Sequence, residues 1–324
     1  MFGLERVITP IITVVENFLK RHSLQGKRVC IALSGGIDSI VLLDAVDQLK
    51  TTLCIDLHAI HVHHGLSLNA DAWAIFCTDF CIARNIALTI RHVHVEQQSP
   101  AGLEGAARAA RYAAFEEECS PYILLAQHAD DQAETVLHQL LRGTGLKGLA
   151  GMGEVRIISN VLSIFRPLLG VSRANIEATA HERGLKWIED ESNEDTVYTR
   201  NFLRHEIAPR LATRFPHYRA SLGRAACHAS EADEMLEALA RIDLQWDGKT
   251  ALADLLDVLP APRQINALYH WIRWHKVPPP SQSQLADWAS QLFRASPLSK
   301  PHIAGGHDFV IRRMNNRLVL KRKV

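Results

Sequence analysis

The chain has 324 residues, 47% hydrophobic and 22% charged, with 18 glycines and 13 prolines. That is ordinary globular composition, which excludes a collagen-like or largely disordered chain. The net charge of +1 hides an asymmetry: residues 1–198 hold 17 Lys/Arg against 24 Asp/Glu, and residues 199–324 hold 19 against 11.

Such a split suits a catalytic part joined to a part that meets a polyanion. No apolar run approaches the ~18 residues of a membrane span, so no membrane association is expected. The first residues lack a signal-peptide layout. The six cysteines (Cys30, Cys54, Cys77, Cys81, Cys119 and Cys227) form no C-x-x-C pair. A cytoplasmic, reduced protein is expected.

In chain order, Leu4 to Leu19 repeat apolar residues on one helical face. Arg28–Leu33 (RVCIAL) reads as a buried strand, followed by a Gly-rich turn at Ser34–Ser39 and the helical IVLLDAVDQL. The alternation then repeats. Strand-like 57–62, 86–93 and 122–127 precede helical 69–85, 103–119 and 130–142. Residues 143–153 (GTGLKGLAGMG) hold five glycines and predict a loop. A strand near 162–165 and a helix over 172–183 follow.

Strands separated by helices predict an α/β fold, a mostly parallel sheet with helices on both faces. Beyond about residue 216, helical stretches near 218–241, 262–276 and 282–294 have no strand between them. The end, FVIRRMNNRLVLKRK, reads as a β-hairpin turning at Asn315-Asn316. We therefore expect an α/β domain over 1–215, a helical domain over 216–300 and a basic C-terminal hairpin over 301–324.

The strongest local signal is Ser34-Gly35-Gly36-Ile37-Asp38-Ser39, between a strand and a helix. Two residues without Cβ let the backbone turn tightly and approach phosphates. The loop amides and the helix N-terminus favour anions, and the Ser34 and Ser39 hydroxyls can donate to phosphate oxygens. An aspartate facing phosphates repels them unless a cation intervenes, so Asp38 implies Mg²⁺. The Lys of the usual P-loop is missing.

This loop resembles that of the PP-loop ATP pyrophosphatases, which cleave ATP between its α- and β-phosphates and activate a carbonyl oxygen as the adenylate. Further stretches, in the same order, resemble the tRNA(Ile)-lysidine synthase family: AIHVHHGL (59–66), LEGAARAARY (103–112), AQHADDQAETVLHQLLRGTGLKGLAGM (126–152), RPLLGVSR (166–173) and IEDESNEDTVYTRNFLR (188–204). The likeness is strong over residues 28–215 and weaker through the helical region and hairpin. It implies a Rossmann-like fold and a ligase. ATP would adenylate the wobble cytidine of an isoleucine tRNA with a CAU anticodon, and the ε-amine of free L-lysine would displace AMP. The protein is expected to work as a monomer or weak homodimer. Longer members carry a further C-terminal tRNA domain; this sequence stops at Val324, just after the hairpin.

The same likeness assigns ATP to Ser34, Gly35, Gly36, Ile37, Asp38 and Ser39, and places His61 beside the nucleotide. Asp131 and Glu134 share a helix face near its N-terminus, where anions are favoured. Helix capping explains that placement; the family reading makes them the carboxylates that hold the lysine amine, or Mg²⁺. Arg108 and Arg111 are solvated cations or a fork for the lysine carboxylate or an ATP phosphate. Arg142, Arg200, Arg204, Arg210 and Arg214 are candidate tRNA contacts, six arginines against the single acid Glu206 falling within 199–229. Two alternatives stand beside the ligase: a PP-loop tRNA thiolation enzyme, disfavoured by the lack of C-x-x-C, and a catalytically silent tRNA-binding protein of the same fold, disfavoured by the intact SGGIDS and DDQAET stretches.

Overall fold

A computed structural model describes residues 10–96, 98–99, 102–118, 120–189, 199–248, 251–252, 256–277, 280–293, 302–305, 309–314 and 317–322. The chain divides into two compact units, Met1–Cys227 and His228–Val324.

In the first unit, strands β1 (Arg28–Ala32), β2 (Asp56–His63), β3 (Ala87–His92), β4 (Tyr122–Leu124), β5 (Val155–Ile157) and β6 (Ser163–Phe165) form one sheet in the order β3-β2-β1-β4-β6-β5. All neighbours run parallel except β5, which is antiparallel to β6. Helices α1 (Ile11–Arg21), α2 (Ile37–Leu49), α3 (Ala70–Ile82), α4 (Gly102–Glu116), α5 (Ala129–Leu141), α6 (Leu146–Leu149) and α7 (Arg173–Glu182) accompany it. Strand alternation explains the two-sided core. Val29 and Ile31 join the cluster of Val15, Leu19, Leu42 and Ile176, while Cys30 between them joins Phe115, Ile123 and Ile164. A sheet buried on both faces needs apolar runs rather than alternation, which RVCIAL supplies.

The chain winds outward from β1 to β3 and then returns to β4 on the other side of β1. Between β1 and β4 the strand order therefore reverses, and ligands of such sheets gather beyond the carboxyl ends of the strands at that point. The Ser34–Ser39 loop leaves β1 there, and the segment leading into α5 leaves β4 there.

The mostly parallel sheet is the one expected. Two details differ: a four-residue helix, α6, interrupts the glycine loop, and β5 adds an antiparallel edge. Each is three or four residues long, too short to show periodicity. The predicted Leu4–Ile8 start of α1 lies outside the described residues.

Helix α8 (Thr199–Phe202) leads through a π-helical turn, Leu203–Ile207, into α9 (Ala208–Arg214) and then α10 (Tyr218–Asp243), within which the boundary after Cys227 falls. The second unit adds β7 (Ala251–Leu252), α11 (Ala261–Trp274), α12 (Gln282–Phe293), β8 (His302–Gly305), β9 (Phe309–Met314) and β10 (Arg317–Arg322). The predicted hairpin pairs antiparallel, Arg317 opposite Met314, and its Asn-Asn turn lies outside the described residues. It is the centre of a four-stranded sheet, β7-β10-β9-β8. A strand, β7, thus does fall between the helices, contrary to the sequence reading. With two residues it has no pattern of its own. Ile311 and Leu318 pack with Trp271, Leu268 and Leu292.

Candidate active site

Gly36 is the N-cap of α2, in extended backbone. Gly35 has φ +90°, and a Cβ there would stand 2.7 Å from Ile188 Cδ1. The Ile188 N–H donates to the Gly35 carbonyl at 2.9 Å. The two serines brace the turn. Ser34 N–H donates to Ser39 Oγ at 3.2 Å, Ser39 Oγ donates to the Gly36 carbonyl at 2.9 Å, and Gly36 N–H donates to Ser34 Oγ at 3.3 Å. Ser39 is only 4% exposed, so its hydroxyl is committed to loop shape. His61, near the end of β2, is buried and donates from Nδ1 to the Leu33 carbonyl at 2.8 Å. Burial pushes its pKa below the ordinary imidazole value. It is a neutral ring supporting the backbone where the loop begins.

Asp38 lies in the first turn of α2. Arg173 Nη1 donates to its Oδ2 at 2.8 Å, while Oδ1, 3.6 Å from His128 Nε2, is buried with no hydrogen-bond partner. Burial pushes this carboxyl above the usual range, against the pull of His128 and Arg173. A desolvated carboxylate oxygen without a partner seeks a cation or a donor.

His128 caps α5: its Nδ1 accepts from Asp130 N–H at 3.2 Å, and Asp131 Oδ2 accepts from His128 N–H at 3.1 Å, a capping box. The capping reading of Asp131 therefore holds, and it uses one oxygen. The other, Oδ1, lies 3.2 Å from Arg204 Nη2. Glu134, 4% exposed, receives Arg204 Nε at 2.7 Å, Arg204 Nη2 at 3.0 Å and Arg200 Nε at 3.1 Å. Asp130 accepts from Arg173 N–H at 2.8 Å and pairs with Arg219. A continuous polar chain thus runs from Asp38 through Arg173 and His128 to Asp130, Asp131 and Glu134.

The basic candidates separate into groups. Arg200 and Arg204 turn inward to the acids. Arg210, 79% exposed, lies 3.6 Å from Glu206, and Arg214 is exposed with its guanidinium 6.0 Å from the Phe215 ring. Arg142 is exposed at the C-cap of α5. On α4, Arg108 bonds the Tyr112 hydroxyl at 3.2 Å and faces its ring at 5.3 Å, with Arg156 5.5 Å from that ring. Arg111 acts on His64: burial first, then the Arg111 charge, bring that imidazole down to about 4.

Residues 8–211 match the PP-loop domain family, and residues 253–319 match the TilS substrate binding domain. A tRNA(Ile)-lysidine synthase from Vibrio atlanticus (strain LGP32) is 36% identical across 97% of this chain and 72% of its own. The chain belongs to the tRNA(Ile)-lysidine synthase family. Synthases from Azoarcus sp. (strain BH72) and Pseudomonas fluorescens (strain Pf0-1) are 43% and 46% identical across 85% and 75% of this chain. The match takes in 62% and 57% of those relatives, so the chain spans about three-fifths of their length. Among solved structures, the U34-tRNA thiolase NcsA from Methanococcus maripaludis has a TM-score of 0.57 at 20% identity, over 68% of this chain and 78% of that one, a likeness of fold.

Several residues inside the stretches that carry the likeness make contacts to which the sequence reading gave no role. Arg173 holds both Asp38 and, through its backbone, Asp130. Its signal is Ser172, the N-cap of α7, which fixes the first helical residue at the site. His128 lies two residues before Asp130. Gln132 clamps the glycine loop, accepting from Met152 N–H at 2.8 Å and donating to its carbonyl at 3.0 Å. Arg166, buried, bonds Gln127 and, at 2.7 Å, the Gly153 carbonyl. Arg166, the first residue of RPLLGVSR, and Gln132 of α5 thus hold the end of the glycine run at Gly153 and Met152.

Proposed function

We propose that the protein is an ATP-dependent ligase that converts the wobble cytidine of an isoleucine tRNA with a CAU anticodon to lysidine. The observation that carries this reading is the polar chain just described. It joins an anion-binding loop at one end to a cation-binding carboxylate pair, Glu134 buried and Asp131 half-buried, at the other. The reaction needs both: a nucleotide phosphate to activate the base, and a lysine that is held as an ammonium and attacks as the neutral amine.

ATP phosphates fit the Ser34–Ser39 loop by its amides and the α2 N-terminus. The Asp38 Oδ1, buried and unpartnered, fits Mg²⁺, which takes one or two carboxylates and completes its shell with phosphate and water. Bound there, Mg²⁺ would offset the charge of the phosphates. The cytidine carbonyl oxygen attacks the α-phosphorus and pyrophosphate leaves. The lysine Nε then attacks the activated carbon, AMP leaves, and the amine sheds protons.

Asp131 and Glu134 are proposed to hold the ε-ammonium. That they accept cations is supported by Arg200 and Arg204, whose guanidiniums already meet them. Substrate lysine must displace at least one of these. A carboxylate beside the amine can take its proton, as a cationic amine is no nucleophile. Arg108 and Arg111 are proposed for the lysine carboxylate or a phosphate. Residues 216–300 and the hairpin 301–324 are proposed to hold tRNA, with Arg142, Arg210 and Arg214 as phosphate contacts.

Sulfur transfer has no comparable support. Burial pushes the Cys77 and Cys81 thiols up to about 12 and 11, so neither is a thiolate near neutral pH. Incubating the protein with isoleucine tRNA, ATP, Mg²⁺ and labelled lysine tests the proposal. Label in the RNA, with one AMP and one pyrophosphate per lysine, is expected. Unlabelled RNA under conditions where the tRNA binds would reject it.

A further inference from the structure

We propose that a hollow formed by α5, α9 and the start of α10 receives an unpaired base of the anticodon loop, a nucleotide flanking the reacting cytidine. This rests on the lysidine-forming reading above. The hollow has a volume of about 450 Å³, with Leu137 from α5, Leu211 from α9 and Leu222 from α10 among its lining, in the range of small-molecule sites. Arg214, Phe215, His217 and Ser221 supply an aromatic face, a cation and hydrogen-bonding groups, and none of the lining residues is acidic. Phe215 is 60% exposed.

Position and chemistry select the occupant. Tyr218 also lines the hollow. The next residue, Arg219, stacks its guanidinium 4.7 Å from the Tyr218 ring and pairs with Asp130. The hollow therefore stands one residue away from the polar chain that holds Asp38. A cytidine entering that chain's centre must leave the stack of its neighbours. Each neighbour then loses a stacking face, and an exposed aromatic beside an apolar floor replaces it. Stacking on aromatic side chains suits any base, and Arg214 suits its phosphate. A second copy of this chain would match the apolar floor but bring its own arginine against Arg214, so charge complementarity favours RNA.

The test uses an anticodon stem-loop carrying 2-aminopurine in turn on either side of the cytidine. It is bound to the wild-type protein, Phe215→Ala and Phe215→Trp. Phe215 is largely exposed, so truncation leaves the core intact; thermal melting checks this. On the wild type and Phe215→Trp, one of the two probes is quenched; on Phe215→Ala it is not. The KM for the stem-loop rises roughly 5- to 150-fold in Phe215→Ala, the loss of one base–aromatic stack, while KM for ATP and for lysine holds. Quenching and KM unchanged in Phe215→Ala would overturn the proposal, as would a variant whose only change is in sedimentation, which would give the hollow to a second copy. Wild-type quenching without lysine transfer would leave the hollow standing and remove the activity reading instead.

Discussion

Asp38 has one oxygen held by Arg173 and one buried with nothing to bond. If that oxygen meets Mg²⁺ on the ATP phosphates, Asp38→Asn abolishes pyrophosphate release and leaves the circular dichroism spectrum and melting cooperativity unchanged; normal pyrophosphate release by the variant would remove Asp38 from the nucleotide site. On the proposed function, Glu134 would divide the reaction in the other direction. Glu134→Gln is expected to adenylate tRNA and yet lose lysine transfer. A charge-assisted contact is worth ~1.5–3 kcal/mol, so lysine binding weakens by roughly 10- to 150-fold. Loss of adenylation with normal lysine binding would move Glu134 to the nucleotide side.

His64 gives a pH dependence. Its folded pKa of about 4 lies below the ordinary 6.5, through burial first and then the charge of Arg111. The unfolded chain takes up the proton first as pH falls. Stability is therefore unaffected above 6.5, is lost between 6.5 and about 4, and loses nothing further below that from this group. His64→Gln should flatten urea midpoints across that window; an unchanged slope would clear His64. At this scale the sequence is legible where chemistry is local. The spacing of Asp131 and Glu134 puts them on one helix, as α5 does. The Arg173–Asp38 pair spans 135 positions, and no spacing rule reaches that far. Arg200 and Arg204 read as phosphate contacts because their acidic partners lie 66 to 73 residues upstream.

Among elements, the SGGIDS turn tests whether its two glycines do the same work. Gly35 sits at φ +90° with Ile188 close by, whereas Gly36 has negative φ and only Ser34 Oγ, 3.5 Å from an added Cβ. Gly35→Ala is expected to cost ~1–3 kcal/mol of stability from backbone strain, and Gly36→Ala less than about 1 kcal/mol. Equal losses in chemical denaturation would contradict the geometry. The long elements were legible because burial on both faces of a parallel sheet demands apolar strands, and packed helices demand stripes. The four-residue α6, the two-residue β7 and the π-helical turn at Leu203–Ile207 lack the length for a period. Tertiary bonds fix the first of these surroundings: Gln132 holds Met152, and no local signal in GTGLKGLAGMG specifies that clamp.

Across the molecule, the change of charge near residue 198 does not coincide with the boundary between compact units, which falls after Cys227. Arginines 200, 204 and 219 follow the change in charge yet belong to the first unit, where they neutralise Asp130, Asp131 and Glu134. The basic excess available to a polyanion is therefore smaller than the sequence count implies. It rests on outward residues such as Arg210 and Arg214. Each phosphate contact releases counterions, so each contributes ~0.7–0.9 to the slope of log affinity against log salt. Replacing Arg210 and Arg214 together with Gln should reduce that slope for tRNA by about 1.4–1.8. Arg84→Gln is the control: Arg84 stacks on Phe80 at 3.7 Å and lies 3.9 Å from Asp44, so its loss should leave the slope alone. Filter binding across a salt series decides the matter. A double variant with the wild-type slope would make Arg210 and Arg214 solvated cations, and would shift the RNA-binding charge to the hairpin residues Arg312, Arg317 and Lys321.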